Sequence, residues 1–237
     1  MKAMILAAGL GTRLKPFTDK HPKALAIVNG KTLLQINIEY LKKYGIKDII
    51  VNVHHFASQI TEKNKKNNSF GINISISDET NEVLETGGGI KNAAWFFNDE
   101  KSFLVMNVDI LTKMNLQKMI DIHTQNNPIA TLAVRDRNSS RCLLLNYKNE
   151  LCGWRNKNTQ EERISRMEKD LIEKSFSGIH LLKPTIFEHI TQTGKFSIID
   201  SYLEIAKTNI IQCADHTGEL LMDVGKPESI LEAEKYF

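Results

Sequence analysis

The chain reads as an α/β protein with a mostly parallel, mixed central sheet and helices on both faces. Three observations predict this. Apolar runs such as Met4-Ile5-Leu6 and Phe103-Leu104-Val105-Met106 have the continuous hydrophobicity of strands covered on both sides. Segments with helical spacing stand between such runs, as in Leu33, Leu34, Ile38 and Leu41 ahead of the stop at Gly45. Strand and helix patterns then alternate, the order that parallel crossover connections require. At 237 residues the chain is long enough to bury a full core, and nothing forces a split, so one domain is expected.

In order, Met4–Leu6 is the first strand, and Ala24–Val28 reads as a short second one before the turn Asn29-Gly30. A helix from Leu33 to Tyr44 leads to a strong strand over Asp48–Val53. The pattern repeats with a helix near Ala57–Lys66, a strand over Ile72–Ser77, a helix near Gly88–Phe97 and a strand over Phe103–Asn107. Leu116–Gln125 is helical and Ile129–Val134 a further strand. From Arg135 the texture changes to a polar loop, then a hairpin whose strands are Cys142–Asn146 and Leu151–Trp154. Arg155–Lys174 is polar and expected to be irregular, a substrate-side flap of the kind long loops form. Phe176–Leu182 alternates as a core strand, and Phe196–Asp200 opens a helix reaching about Lys207, with Ser197 or Asp200 as its cap. Leu220–Gly225 is a last strand and Ser229–Tyr236 a last helix.

In open α/β sheets ligands sit beyond the carboxyl ends of the strands. The first such place is organised for phosphate. Ala7 and Ala8 are too small to obstruct a ligand, and Gly9 and Gly11 allow a sharp turn that presents N–H groups to an anion. Thr12 adds a hydroxyl, Arg13 a planar fork and Lys23 a point charge on a long tether. This is no Walker loop, since Arg13-Leu14 stands where Gly-Lys would be. Nor is it a dinucleotide fingerprint, since Leu14 occupies the third glycine position. The second place, Leu84-Glu85-Thr86-Gly87-Gly88-Gly89-Ile90, sets three glycines before a helix, where N–H groups can meet a base edge, ribose or sugar. The third is Asn107-Val108-Asp109, whose carboxylate at a strand end suits Mg²⁺.

The whole string Gly9-x-Gly11-Thr12-Arg13-Leu14-x-Pro16-x-Thr18-x-x-x-Pro22-Lys23 resembles the signature of the sugar-1-phosphate nucleotidylyltransferases. The resemblance implies a Rossmann-like nucleotide-diphospho-sugar transferase fold. It also implies that Arg13 holds the leaving pyrophosphate and Lys23 the phosphates, with Thr86 and Gly87 joining the loop in binding nucleotide. In that family an aspartate, commonly after glycine, binds metal at the position of Asp109; here Val108 replaces the glycine. The closing Asp223-Val224-Gly225 resembles the segment that supplies the second metal ligand. Glu85, Asn107 and Gly178 are then expected at the sugar phosphate, with room for a sugar ring beside Ser177-Gly178. Lys157 falls near the family's sugar-phosphate lysine, and Arg141 is a second candidate for that phosphate or for an acidic group on the substrate.

The 31 basic against 28 acidic residues leave a formal charge of +3, too little for a polyanion-binding surface, so nucleic acid is not an expected partner. No run approaches the roughly 18 apolar residues of a membrane span, and the start leads into a strand; a cytoplasmic protein is expected. The three cysteines lack any CxxC or nearby histidine pattern and read as buried thiols, and the seven histidines show no metal-ligand spacing.

The expected partners are therefore a nucleoside triphosphate and a sugar 1-phosphate, with Mg²⁺ as cofactor; a homo-oligomer is compatible with the sequence. Asp109 and Asp223, each ending a strand of one sheet, would share the ion. The sequence outside residues 136–174 is similar to the small N-acetylmuramate-1-phosphate uridylyltransferases of cell-wall recycling. Mannose- and heptose-1-phosphate guanylyltransferases are the nearest alternative, and choline-phosphate cytidylyltransferases a more distant one. A non-catalytic sugar-nucleotide-binding subunit is the alternative of another class, and it predicts erosion of Arg13, Lys23, Asp109 and Asp223, all of which are present.

Overall fold

The computed structural model describes residues 1–237. Its first strand, β1 (Ala3–Leu6), is wholly buried and lies between two parallel neighbours. A hairpin of β2 (Ile27–Val28) and β3 (Lys31–Thr32) leads into α1 (Leu33–Lys43), where the Thr32 hydroxyl caps the helix by accepting from Gln35 N. There follow β4 (Asp48–Val53), α2 (Ala57–Lys66), β5 (Asn73–Asp78), α3 (Glu85–Asn92), β6 (Phe103–Asn107), β7 (Ile110–Thr112) and α4 (Leu116–Asn126). The second half holds β8 (Ala130–Arg135), β9 (Arg141–Leu145), β10 (Leu151–Asn156), β11 (Glu161–Ile164), β12 (Ile172–Leu182), α5 (Ile186–His189), α6 (Ile198–Ile205), β13 (Ile211–Asp215), β14 (Leu221–Asp223) and α7 (Pro227–Ala233).

Ten strands form one mixed sheet in the order β11-β10-β9-β12-β6-β1-β4-β5, with β8 beside β12 and β13 beside β8. The β6-β1-β4-β5 part is parallel, while β12 joins β6, β8 and β9 antiparallel. Ala3 and Ile5 point into one hydrophobic core with α1, α4 and α7, whereas Met4 and Leu6 point into another with α3 and α6. That period-two split is why the first strand contains no polar residue: both faces are covered.

Three expectations are corrected. Ala24–Val28 is not one strand, because Lys23–Leu25 makes a 3₁₀ turn and only Ile27–Val28 is extended. The second helix-opening glycine run lies inside α3, which starts at Glu85, so Gly87, Gly88 and Gly89 are packing positions within the helix. The stretch 155–174 is irregular only in part: it completes β10, forms β11 and begins β12, with turns and irregular backbone at 157–160 and 165–171. Its strands are joined by charge where an apolar pattern was absent, with Arg155 bonded to both Glu162 and Glu173 at 2.6 Å and Lys157 paired with Glu173 at 2.5 Å. Strands β7 and β13 and helix α5 were not expected from the sequence pattern.

Candidate active site

The carboxyl ends of β4, β1 and β6, three adjacent parallel strands, open into a cleft of about 460 Å³. One wall is the loop after β1, where Ala7, Ala8, Gly9, Gly11, Thr12 and Arg13 all line the cavity. Gly11 has φ +62°, and a side chain there would press on Thr18 Cγ2 and Lys23 Cβ, at 2.9 and 3.1 Å from its Cβ. The Thr18 hydroxyl donates to the Gly11 carbonyl at 2.9 Å, closing the loop. Glu85 and Thr86 line the opposite wall at the start of α3, and Lys23, Asn107 and Asp109 line the floor. Gly87 does not reach the cavity. A Cβ on it would fall 2.3 Å from the Phe196 ring, so its role here is close packing of α3 against the start of α6.

The two aspartates come together by a route the sequence did not show. Asp223 ends β14, which belongs not to the main sheet but to a separate two-stranded ribbon with β7. In that ribbon Asp223 pairs with Ile110, and Val224 N donates to the Asp109 carbonyl at 2.8 Å. Both carboxylates therefore line a second cavity, of about 190 Å³, which shares Arg13, Asn107 and Asp109 with the first. Lys23, itself buried, donates to Asp109 Oδ2, and Arg13 Nη2 stands 3.8 Å from Asp223 Oδ1. Gly225 closes this corner: a Cβ there would sit 2.6 Å from Arg13 Nη2 and 2.8 Å from Asp223 Oδ1. Two carboxylates with no third Asp, Glu, His or Cys in a metal-binding group make an incomplete cage. Mg²⁺ fits that donor set, since it is held by one or two carboxylates and completed by substrate phosphate oxygens and water.

Gly178 lines the second cavity with φ +72°, at the irregularity where β12 shifts register against β8. A Cβ on it would meet Asn107 Nδ2 at 2.8 Å, so the glycine lets Asn107 pack closely against the backbone while Ser177 and Gly178 still line the cavity. Arg141 and Lys157 are not brought to either cavity. Arg141 is exposed on β9, and Lys157 faces Glu173 in an outer depression.

Sequence reasoning missed Asn52, which is buried yet lines the cleft. Its Oδ1 accepts from Ala7 N at 2.7 Å, and its Nδ2 donates to Glu79 Oε1 at 2.8 Å. Burial raises the Glu79 carboxyl above its ordinary range, opposed by the hydrogen bonds from Asn52 and Leu84 N. The available signal was one polar residue in the otherwise apolar run Ile49-Ile50-Val51-Asn52-Val53. Val83 and Ser197 complete the wall, Ser197 also capping α6 by accepting from Ile199 N at 3.3 Å.

A cleft at strand ends, a glycine loop carrying arginine and lysine, and two aspartates lining one cavity make up the candidate site. The Nucleotidyl transferase family model matches residues 2–237. This chain belongs to the nucleotidyl transferase family. It is an enzyme of the sugar-1-phosphate nucleotidylyltransferases. It is 31% identical to an N-acetylmuramate α-1-phosphate uridylyltransferase of Caulobacter vibrioides, over 98% of this chain and 95% of that protein. It is 32% identical to a D-glycero-α-D-manno-heptose 1-phosphate guanylyltransferase of Campylobacter jejuni, over 96% of each. The crystal structure of HddC from Yersinia pseudotuberculosis superposes with a TM-score of 0.77 at 25% identity, covering 99% of this chain and 98% of that one. No helix is long and apolar enough to cross a membrane.

Proposed function

We propose that this nucleotidylyltransferase joins UTP to N-acetylmuramate 1-phosphate, giving the nucleotide-diphospho-sugar and pyrophosphate. The observation that carries the reading is the continuity of the two cavities through Arg13, Asn107 and Asp109. One cavity suits a triphosphate along the glycine loop, and the other a sugar phosphate arriving past Ser177 and Gly178. An oxygen of the sugar phosphate attacks the α-phosphorus, the bond to the α–β bridging oxygen breaks, and pyrophosphate departs with that electron pair. The nucleophile is already anionic, so no general base is required, and positioning with fixed positive charge provides the catalysis. Arg13, more than half exposed and held only loosely by Asp223, would follow the departing pyrophosphate. Lys23 sits deeper against Asp109 and neutralises charge near the α-phosphate. Asp109 and Asp223 would hold Mg²⁺, which when bound offsets phosphate repulsion and polarises the phosphoryl oxygens.

The choice of base and sugar rests on the Caulobacter relative and on the segments Leu84–Ile90, Phe176–Ile179 and Asp223–Gly225. Such a product would serve cell-wall recycling in the cytoplasm. The Campylobacter guanylyltransferase is as similar overall, which makes guanylyl transfer the competing outcome. Pyrophosphate release from UTP, GTP, CTP and dTTP against N-acetylmuramate, mannose, heptose and glucose 1-phosphates tests the proposal. The highest kcat/KM is expected for UTP with N-acetylmuramate 1-phosphate. Preference for GTP with mannose or heptose 1-phosphate would overturn the substrate assignment, and release from no pair would point to a non-catalytic binding subunit.

A further inference from the structure

Of the seven arginines, four pair with carboxylates and three do not: Arg135, Arg137 and Arg141. Two of the unpaired three, Arg135 and Arg137, line the second cavity together with Asp109 and Ser177. A half-buried guanidinium such as that of Arg135 costs free energy while it lacks an anion, and the exposed Arg137 beside it adds positive charge at the same cavity. Asp109 and Asp223 line the same cavity, where Lys23 holds the first and Arg13 stands 3.8 Å from the second; neither makes an ion pair with Arg135 or Arg137, and the carboxylates farther out are engaged as well. Lys174 takes both Asp136, at 2.9 Å, and Asp215, at 2.6 Å, while Glu173 is held by Arg155 and Lys157. Arg135 is half-buried at the end of β8; its Nη1 donates to the Leu221 carbonyl at 2.9 Å, and its Nε is buried without a partner. Arg137 is exposed two residues further on, where it lines both this cavity and the outer depression beside it. The two guanidinium groups thus stand in series, one near the strand of Asp223 and one farther out.

We propose that Arg135 and Arg137 form a two-anion subsite selecting sugar 1-phosphates that carry a second negative charge, a carboxylate on a ring substituent. This rests on the nucleotidylyltransfer reading above. Arg135, nearer the aspartates, meets the sugar's phosphate; Arg137 meets the carboxylate, for which its planar fork offers two parallel hydrogen bonds. A neutral sugar 1-phosphate leaves Arg137 unmatched, so selection arises from a missing partner as well as from an added attraction.

The test compares N-acetylmuramate 1-phosphate with N-acetylglucosamine 1-phosphate, which lacks the carboxylate, at saturating UTP. Arg137→Leu is expected to lower the acidic-to-neutral ratio of kcat/KM by about 10- to 100-fold, chiefly through KM for the acidic sugar. Arg137→Lys should recover part of that ratio, and Arg135→Lys should weaken both sugars together. Calorimetric binding of the same two sugar phosphates to wild type and Arg137→Leu reads the ratio without turnover. Equal losses for both sugars in Arg137→Leu, with an unchanged unfolding midpoint, would overturn the subsite. A wild type that turns over both but prefers the neutral sugar would overturn it too while leaving nucleotidylyl transfer intact. Binding that discriminates without any turnover would instead support the subsite and remove the catalytic reading.

Discussion

Val224 N donates to the carbonyl of Asp109 at 2.8 Å, and this bond sets Asp223 beside Asp109 although more than a hundred positions separate them. The consequence is a carboxylate pair held by backbone, not by side-chain packing. Asp109→Asn or Asp223→Asn should therefore keep the fold and lose the ion. We expect turnover to fall roughly 100-fold or more in each, the scale of removing one electrostatic stabiliser. Chelation should abolish wild-type activity and added Mg²⁺ restore it; turnover that survives chelation would exclude the carboxylate pair as a metal site.

Arg13 and Gly225 make a linked prediction. Arg13→Ala is expected to cut turnover about 100-fold and to raise KM for pyrophosphate in the reverse reaction. Gly225→Ala puts a methyl 2.6 Å from Arg13 Nη2, so it should displace the guanidinium and reproduce part of the same defect. Combining the two changes should cost little more than Arg13→Ala alone. Full additivity in that double-mutant cycle would mean Gly225 acts elsewhere.

At the back of the cleft, Asn52 satisfies a donor on Ala7 and an acceptor on Glu79 at once. Asn52→Asp keeps the first contact and sets a second carboxylate against Glu79. At low pH the pair can share a proton, whereas ionisation of both brings like charges together. The folded pair's affinity for that proton is raised, so stability is present at acid pH and lost as pH rises through the pair's titration. Urea unfolding between pH 5 and pH 8 checks this; a variant whose loss is independent of pH would exclude the charge explanation.

Gly87→Ala should destabilise by about 1–3 kcal/mol, the usual cost of overpacking, because the new Cβ falls 2.3 Å from Phe196 and 3.0 Å from Ile198 N. KM for the nucleotide in the folded fraction should change little. A selective rise in nucleotide KM with normal stability would instead make Gly87 a ligand contact.

Acid should weaken the fold through two buried histidines. Burial pushes His123 down to about 4 and His180 to about 3, so both are neutral in the folded chain at pH 5. An unfolded histidine protonates near pH 6.5, so below that the unfolded chain binds protons that the folded chain does not, and stability falls as pH drops from about 6.5 toward 4. His123→Gln, which retains polar contact with Ser102 and Thr131 in kind, should flatten that slope. An unchanged slope would assign the acid sensitivity to other groups.

The sequence by itself determined the parallel half of the fold and the glycine loop that lines the cleft, because both are local. An apolar run covered on two faces and a loop of glycine, arginine and lysine carry their chemistry within a few neighbouring residues. Tertiary structure alone decided the rest. The β7–β14 ribbon that joins the aspartates is one such feature: β14 reads as a strand, but β7 is three residues long and leaves no pattern, so their pairing is visible only in space. The strands after Arg155 are held by ion pairs such as Arg155–Glu162, which read as a polar loop until the partners are seen opposite each other. Arg135 and Arg137 looked like ordinary loop charges, since whether a cation is neutralised depends on which carboxylates the fold has already given to Lys174. Hydrophobic period and turn chemistry are written along the chain, but counter-ion accounting is a property of space.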